Sequence, residues 1–330
     1  MTKDNLKIVF MGTPDFAVES LRALVVGGYK IAGVVTMPDK PVGRHGSVLQ
    51  PSAVKQYAVS KGLPVLQPEK LKDESFINEL RALNADLQIV VAFRMLPEVV
   101  WDMPRFGTFN LHASLLPQYR GAAPINWAVI NGEKETGVTT FFLTHEIDTG
   151  RIIRQERLPI TGTDDAETVH DALMITGAKL VTETVDLLIA NDGNIETIPQ
   201  ENFYNSIGEL RPAPKIFKDT CRIDWRQSVD HVYNFIRGLS PYPTAWTEIL
   251  NPEGERMSLK IFQTEKLIEE HNFDTGTIRT DGKNNLDIAV PGGFISITSL
   301  QLAGKKRLSI NEFLNGMKNI ESNKWLIYNC

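Results

Sequence analysis

The feature that most constrains this chain is an alternation in its first half. Short, β-branched apolar runs are separated by amphipathic stretches of about ten residues. Lys7–Met11 (KIVFM) is the first run, halted by Gly12-Thr13-Pro14. Asp15 can cap a helix over Phe16–Val26, which stops at Gly27-Gly28. Ile31–Thr36, Val65–Leu66, Asp86–Phe93 and Thr108–Leu111 read as further strands, with helices over Pro51–Lys61 and Asp73–Leu83 between them. Connections of this length are crossovers rather than hairpins, so the pattern predicts a largely parallel, Rossmann-like α/β sheet with helices on both faces. A long helix over Asp164–Ala190 closes this half.

The texture then changes. Asn191-Asp192-Gly193 opens a polar connector that runs to Gly208 and crosses Pro199, Gln200 and Asn202. Beyond it, one helix near Val229–Gly238 precedes short strand candidates at Ala245–Leu250, Leu259–Phe262, Gly276–Arg279, Leu286–Val290 and Phe294–Leu302. Turns such as Asp281-Gly282 and Pro291-Gly292-Gly293 separate them, as in a small β-barrel of the OB-like kind. The expected organisation is therefore a domain over 1–190, a linker over 191–208 and a β-barrel domain over 209–330. A length of 330 residues accommodates two domains.

Composition excludes several classes. With 42% hydrophobic and 23% charged residues the chain is neither disordered nor fibrous. Apolar runs such as Ile89–Phe93 fall far short of the ~20 residues that span a bilayer. The N-terminus lacks the pattern of a secretory signal. Cys221 and Cys330 are too few for a disulfide framework, so a reducing, cytoplasmic setting is expected. The net charge is −5, but from Glu209 onward 16 basic residues balance 15 acidic ones, so the acidity lies in the first 208 residues.

Common nucleotide and metal motifs fail. Gly12-Thr13-Pro14-Asp15 lacks two of the glycines of a dinucleotide fingerprint, and Pro14 removes an amide donor. Gly276–Lys283 has one residue too many for a P-loop, and no histidine or cysteine spacing matches a zinc site.

One segment, Asn110 to Pro124 (NLHASLLPQYRGAAP), follows directly from a strand. Functional groups in open α/β sheets collect at such carboxyl ends. Asn110 and His112 lie two apart, so in an extended chain they share a face. An amide donor then sits beside a titratable imidazole. Alone, such a pair is more often structural than catalytic. Ser114 is no candidate nucleophile, because the G-x-S-x-G elbow is absent.

The pair does not stand alone. Ser114-Leu115-Leu116-Pro117 followed by Tyr119-Arg120-Gly121, with Ile147-Asp148-Thr149-Gly150 downstream, resembles the folate-dependent formyltransferases. Phe10–Ala17 (FMGTPDFA), Met37–Arg44 (MPDKPVGR), Arg222–Trp225 (RIDW) and Gln301–Lys306 (QLAGKK) extend the likeness over nearly the whole chain. They point to the branch of that family that acts on initiator methionyl-tRNA. The resemblance implies transfer of the formyl group of 10-formyltetrahydrofolate to the methionine amine, by a cytoplasmic monomer, with no metal. It implies catalytic roles for Asn110, His112 and Asp148. Ser114, Leu115, Leu116 and Pro117, with Val91 and Phe93 on the buried strand, are implied to form the folate pocket. Arg44 matches the basic residue of a loop that reaches the tRNA acceptor end, although His45-Gly46-Ser47-Val48 follows it in place of further lysines. Beside the likeness, Lys305, Lys306 and Arg307 become candidates for contact with the tRNA backbone. Three alternatives remain from the residues: a formyltransferase acting on a small amine such as glycinamide ribonucleotide, a non-catalytic RNA-binding protein, and a nucleotide-dependent oxidoreductase.

Overall fold

The structure is a computed structural model describing residues 1–42, 48–250, 254–316 and 326–327. Arg44 and Cys330 lie outside the described residues. The chain forms two compact units. The first comprises Met1–Gly121, Thr136–Pro159 and His170–Pro212, and the second Ala122–Glu135, Ile160–Val169 and Ala213–Cys330.

The strands in chain order are β1 (Ile8–Gly12), β2 (Ile31–Val35), β3 (Lys40–Val42), β4 (Val48–Gln50), β5 (Val65–Leu66), β6 (Leu87–Val91), β7 (Thr108–His112), β8 (Glu135–Phe142) and β9 (Ile152–Pro159). Then come β10 (Ala245–Leu250), β11 (Arg256–Ile268), β12 (Ile278–Thr280), β13 (Leu286–Val290), β14 (Gly293–Leu302), β15 (Leu308–Ser309) and β16 (Leu326–Ile327). The helices are α1 (Asp15–Val26), α2 (Ala53–Ser60), α3 (Glu74–Ala82), α4 (Glu98–Trp101), α5 (Pro124–Ile130), α6 (Ala166–Ala190), α7 (Tyr204–Ile207), α8 (Val229–Gly238) and α9 (Ile310–Gly316).

In the first unit a seven-stranded sheet runs β5-β2-β1-β6-β7-β8-β9. The pairs from β5 through to β7 are parallel, and β8 joins β7 antiparallel. The chain leaves β1 toward β2 and β5, then returns to place β6 on the other side of β1. That reversal makes a topological switch point, where open α/β sheets bind ligands at the carboxyl ends of their strands. Register aligns those ends: Gly12 lies opposite Val91, and Val90 opposite Asn110. Val9, Met11, Val35 and Val90 meet Phe76 and Leu80 of α3 and Val100 of α4 on one face. Gly177 of α6 lies against the Leu111 side chain on the other. The alternation of β7 therefore turns Leu111 to α6 and its neighbours Asn110 and His112 to the opposite face.

The structure departs from the sequence pattern at one predicted cap and adds two pairs of strands that the pattern does not show. Asp15 is the first residue of α1 rather than its cap: Pro14 takes the cap position and Asp15 Oδ1 accepts only the adjacent Phe16 N–H at 3.0 Å. Strands β8 and β9 were not foreseen, since a Gly and three threonines in ETGVTTFF conceal a strand buried along nearly its whole length. Within the stretch Pro38–Gln50, β3 and β4 form an antiparallel hairpin.

The second unit is an antiparallel half-barrel of order β12-β13-β14-β11-β10-β16, with β15 paired to β14. Its longest strand, β11, spans 13 residues where the apolar run Leu259–Phe262 suggested four. Register shifts between Ile261 and Thr264 bend it, which lets one strand curl around the core. Ser228 caps α8 by accepting the His231 N–H at 3.3 Å, and Val229, Val232 and Ile236 of α8 enter the core with Ile261, Ile288, Ile295 and Leu300.

Candidate active site

Thr108–His112 is a strand because Phe109 and Leu111 bury one face fully while the polar residues alternate onto the other. Asn110 is half-buried, and among the described residues its carboxamide has no hydrogen-bond partner. The amide is thus held by its strand and left free to bind.

His112 is 6% exposed. Its Nε2 lies 2.9 Å from the carbonyl oxygen of Tyr119. A carbonyl only accepts, so Nε2 carries the hydrogen and donates it, which leaves the lone pair of the neutral ring on Nδ1. Asp148 Oδ2 lies 3.9 Å from that Nδ1. The separation exceeds a hydrogen bond, but the carboxylate attracts any positive charge on the ring. Asp148 Oδ2 is in turn fixed by the Gly121 N–H at 2.9 Å. Of the sequence-predicted residues Asn110, His112 and Asp148, the structure brings His112, at the end of β7, within 3.9 Å of Asp148 in its loop, with Asn110 two residues earlier on the same strand.

Both loops hold non-glycine residues in the left-handed region, Tyr119 at φ 59° and Asp148 at φ 55°. Such conformations persist only where the surroundings impose them. The Tyr119 N–H donates to Arg211 O at 2.7 Å while its carbonyl receives His112. Two residues after Asp148, Gly150 runs so close to β8 that a Cβ there would sit 1.7 Å from Phe142 O. Only glycine fits that approach.

The residues singled out for folate fall into two groups. Val91, Ser114, Leu116 and Pro117 are buried. Ser114 Oγ donates to Gln118 O at 2.6 Å, which closes the loop on itself. Leu116 packs with Phe141 and Ile152, its N–H donates to Thr139 Oγ1 at 3.1 Å, and its carbonyl accepts from Gln155 Nε2 at 2.8 Å. Phe93 and Leu115 are half-buried and keep part of their side-chain surface exposed. Leu115 presses on Gly137, where a Cβ would meet it at 2.5 Å.

The base of the β3–β4 hairpin is tied down. Asp39 accepts from Lys55 Nζ at 2.7 Å and from Gln67 Nε2 at 2.8 Å. These hydrogen bonds, the lysine's first, hold its carboxyl below the ordinary range. In the second unit, Lys305 and Lys306 are exposed and form no ion pair among the described residues. Arg307 differs from them: its guanidinium lies 4.3 Å from the Phe262 ring centroid, and its Nε donates to Ser299 Oγ at 2.8 Å. Among the described residues no three His, Cys, Asp or Glu side chains are grouped so as to hold a metal ion. No described helix is long and apolar enough to cross a membrane.

Sequence reasoning missed the supports of this site. Thr139, Gln155 and Gln200 carry no periodic or motif signal, because each acts through hydrogen bonds to residues distant in the chain.

Comparison with known proteins shows the family. Residues 6–185 match the family model described as formyl transferase, and residues 215–318 match that of its C-terminal domain. The chain belongs to the formyl transferase family. It is 74% identical over 320 residues to a methionyl-tRNA formyltransferase of Parabacteroides distasonis, covering 97% of this chain and 98% of that protein. A methionyl-tRNA formyltransferase of Bacteroides thetaiotaomicron is 65% identical over 318 residues, covering 96% and 98%. The fold recurs in WlaRD, a sugar 3N-formyl transferase (TM-score 0.61, 20% identity, 92% of this chain and 100% of that one). It recurs also in HypX from Aquifex aeolicus, solved with tetrahydrofolic acid (TM-score 0.61, 17% identity, 98% of this chain and 51% of that one).

Proposed function

We propose that this protein transfers the formyl group of 10-formyltetrahydrofolate to the amino group of methionine on initiator methionyl-tRNA, in the cytoplasm. The observation that carries the reading is the free Asn110 carboxamide beside a His112 whose Nδ1 lone pair faces Asp148, in a chain 74% identical to a methionyl-tRNA formyltransferase.

The chemistry follows from those groups. The neutral methionine amine attacks the formyl carbon, and a C–N bond forms as charge moves to the carbonyl oxygen. Asn110 Nδ2 donates to that developing oxyanion, a contribution of about 3–4 kcal/mol for one donor. His112 Nδ1 takes the proton the amine must lose, and the Asp148 carboxylate stabilises the imidazolium. The tetrahedral intermediate collapses as its bond to the folate nitrogen breaks, and that nitrogen leaves with a proton, giving formylmethionyl-tRNA and tetrahydrofolate. The switch-point crevice offers Phe93 and Leu115 as apolar surface for the folate; Val91, Ser114, Leu116 and Pro117 shape it from behind.

In this reading residues 1–190 carry the chemistry, and 209–330 bind the tRNA through Lys305 and Lys306. Arg44, outside the described residues, holds the acceptor end. The test is formylation of Met-tRNA by the purified protein with 10-formyltetrahydrofolate, run beside glycinamide ribonucleotide as acceptor. Product with the tRNA alone supports the proposal; product with the ribonucleotide alone overturns it. Arg44→Ala is expected to slow single turnover at saturating tRNA, because misplacing a reacting group carries a rate cost.

A further inference from the structure

The stretch 191–208 reads from its composition as a passive polar connector, yet it contains one of the most enclosed polar side chains of the first unit. Gln200 is 1% exposed. Its Nε2 donates to two carbonyl oxygens of the aspartate loop, Asp148 O at 2.9 Å and Gly150 O at 2.8 Å. Its Oε1 accepts from Arg120 Nε at 3.0 Å and Arg120 Nη2 at 2.5 Å. One buried amide thus uses both donor hydrogens on the loop that carries Asp148. Its acceptor is used on the residue following Tyr119, whose carbonyl holds His112.

The surroundings reinforce this arrangement. Ile198 and Ile152 exchange backbone hydrogen bonds, each 2.8 Å, so the connector pairs like a strand with the chain just past the aspartate loop. Arg151 Nε donates to Thr197 Oγ1 at 2.6 Å and Arg151 Nη2 to Thr197 O at 2.5 Å. Asp148 itself stands at φ 55°, and among the described residues the Gly121 N–H is the one close hydrogen-bond partner of its carboxylate. A carbonyl turned inward by a left-handed residue needs a buried donor, and Gln200 supplies it.

We infer that Gln200 is a positioning residue for formyl transfer: its side-chain amide ties the Asp148 loop to the Arg120 segment and so sets the Asp148–His112 separation. The inference rests on the roles proposed above for Asp148 and His112.

The test is a double-mutant cycle in the full-length protein, read as single-turnover formylation of Met-tRNA at saturating 10-formyltetrahydrofolate. Gln200→Leu is expected to lower the rate by about 30- to 100-fold, the cost of a small misplacement near a reacting centre, with the KM for Met-tRNA unchanged. Combined with Asp148→Asn, it should cost no more than Asp148→Asn alone, since both variants remove the same carboxylate placement. A purely structural glutamine gives losses that multiply, and that result overturns the inference. Gln200→Glu keeps an acceptor for Arg120 but loses both donors to the loop. It should be as slow as Gln200→Leu, and it carries the test if the leucine variant does not fold. A glutamate variant of normal rate overturns the inference. If Asp148→Asn itself leaves the rate unchanged, the fault lies in the catalytic assignment rather than in Gln200.

Discussion

Two sets of polar residues in this molecule are handled in opposite ways. At the carboxyl end of β7 and in the loops around it, nearly every polar atom is held: His112 by Tyr119 O, Asp148 by Gly121 N, Ser114 by Gln118 O, and Leu116 by Thr139 and Gln155. On the half-barrel, Lys305 and Lys306 extend into solvent without an ion-pair partner among the described residues. Under the proposed function the difference reflects two physical tasks. Transition-state stabilisation depends on groups fixed in advance, because reorganisation during reaction wastes their interaction energy. A phosphate contact gains chiefly from counterion release, which needs charge near the strand but little geometry. In the first set the Asn110 carboxamide has no hydrogen-bond partner among the described residues, and in the proposed mechanism that is where an incoming carbonyl oxygen needs a donor.

The largest effect that tests this contrast is at Asn110. Asn110→Ala should reduce single-turnover formylation about 100-fold or more, while urea unfolding changes by less than about 1 kcal/mol, because no side-chain hydrogen bond among the described residues is lost. A near-normal rate would break the contrast at its centre. Ser114→Ala should behave in the reverse sense. Losing the buried bond to Gln118 O should cost about 1–2 kcal/mol of stability with at most about a tenfold loss of rate. A loss of about 10⁴ or more would instead make Ser114 a nucleophile.

Smaller effects separate the residues of the basic cluster. Lys305→Ala with Lys306→Ala should flatten the salt dependence of tRNA binding by about two units, leaving the saturated rate intact. Arg307→Ala should show its main loss in thermal stability, since its guanidinium packs on Phe262 and Ser299. A drop in salt slope per charge removed that is as large for Arg307→Ala as for the double lysine variant would erase the distinction between free and packed cations.

The smallest expected effect concerns Asp224. Hydrogen bonds from Arg226 hold its carboxyl at about 2, with 38% of the side chain exposed. A depressed carboxylate stabilises the fold above its unfolded value of about 3.9, and that contribution disappears as pH falls through about 2. Asp224→Asn should therefore remove no more than about 0.5 kcal/mol after solvent screening, visible as weaker pH dependence of unfolding between about pH 4 and 2.

The sequence by itself determined the alternating architecture of the first unit, the common face of Asn110 and His112, and the motif order that pointed to formyl transfer. Those features are local, because a side chain's face follows from strand period and a helix's position from capping and apolar spacing. Tertiary structure decided what such periods do not encode. It placed β8 and β9 in the sheet, lengthened β11 through a bend, oriented the His112 ring against Tyr119 O, and separated Arg307 from its lysine neighbours. It also turned Gln200 from one polar residue among several into a bridge to partners 52 and 80 positions away. A hydrogen bond between distant residues leaves no periodic trace in the chain, and a single glutamine has the same composition whether it is solvated or enclosed.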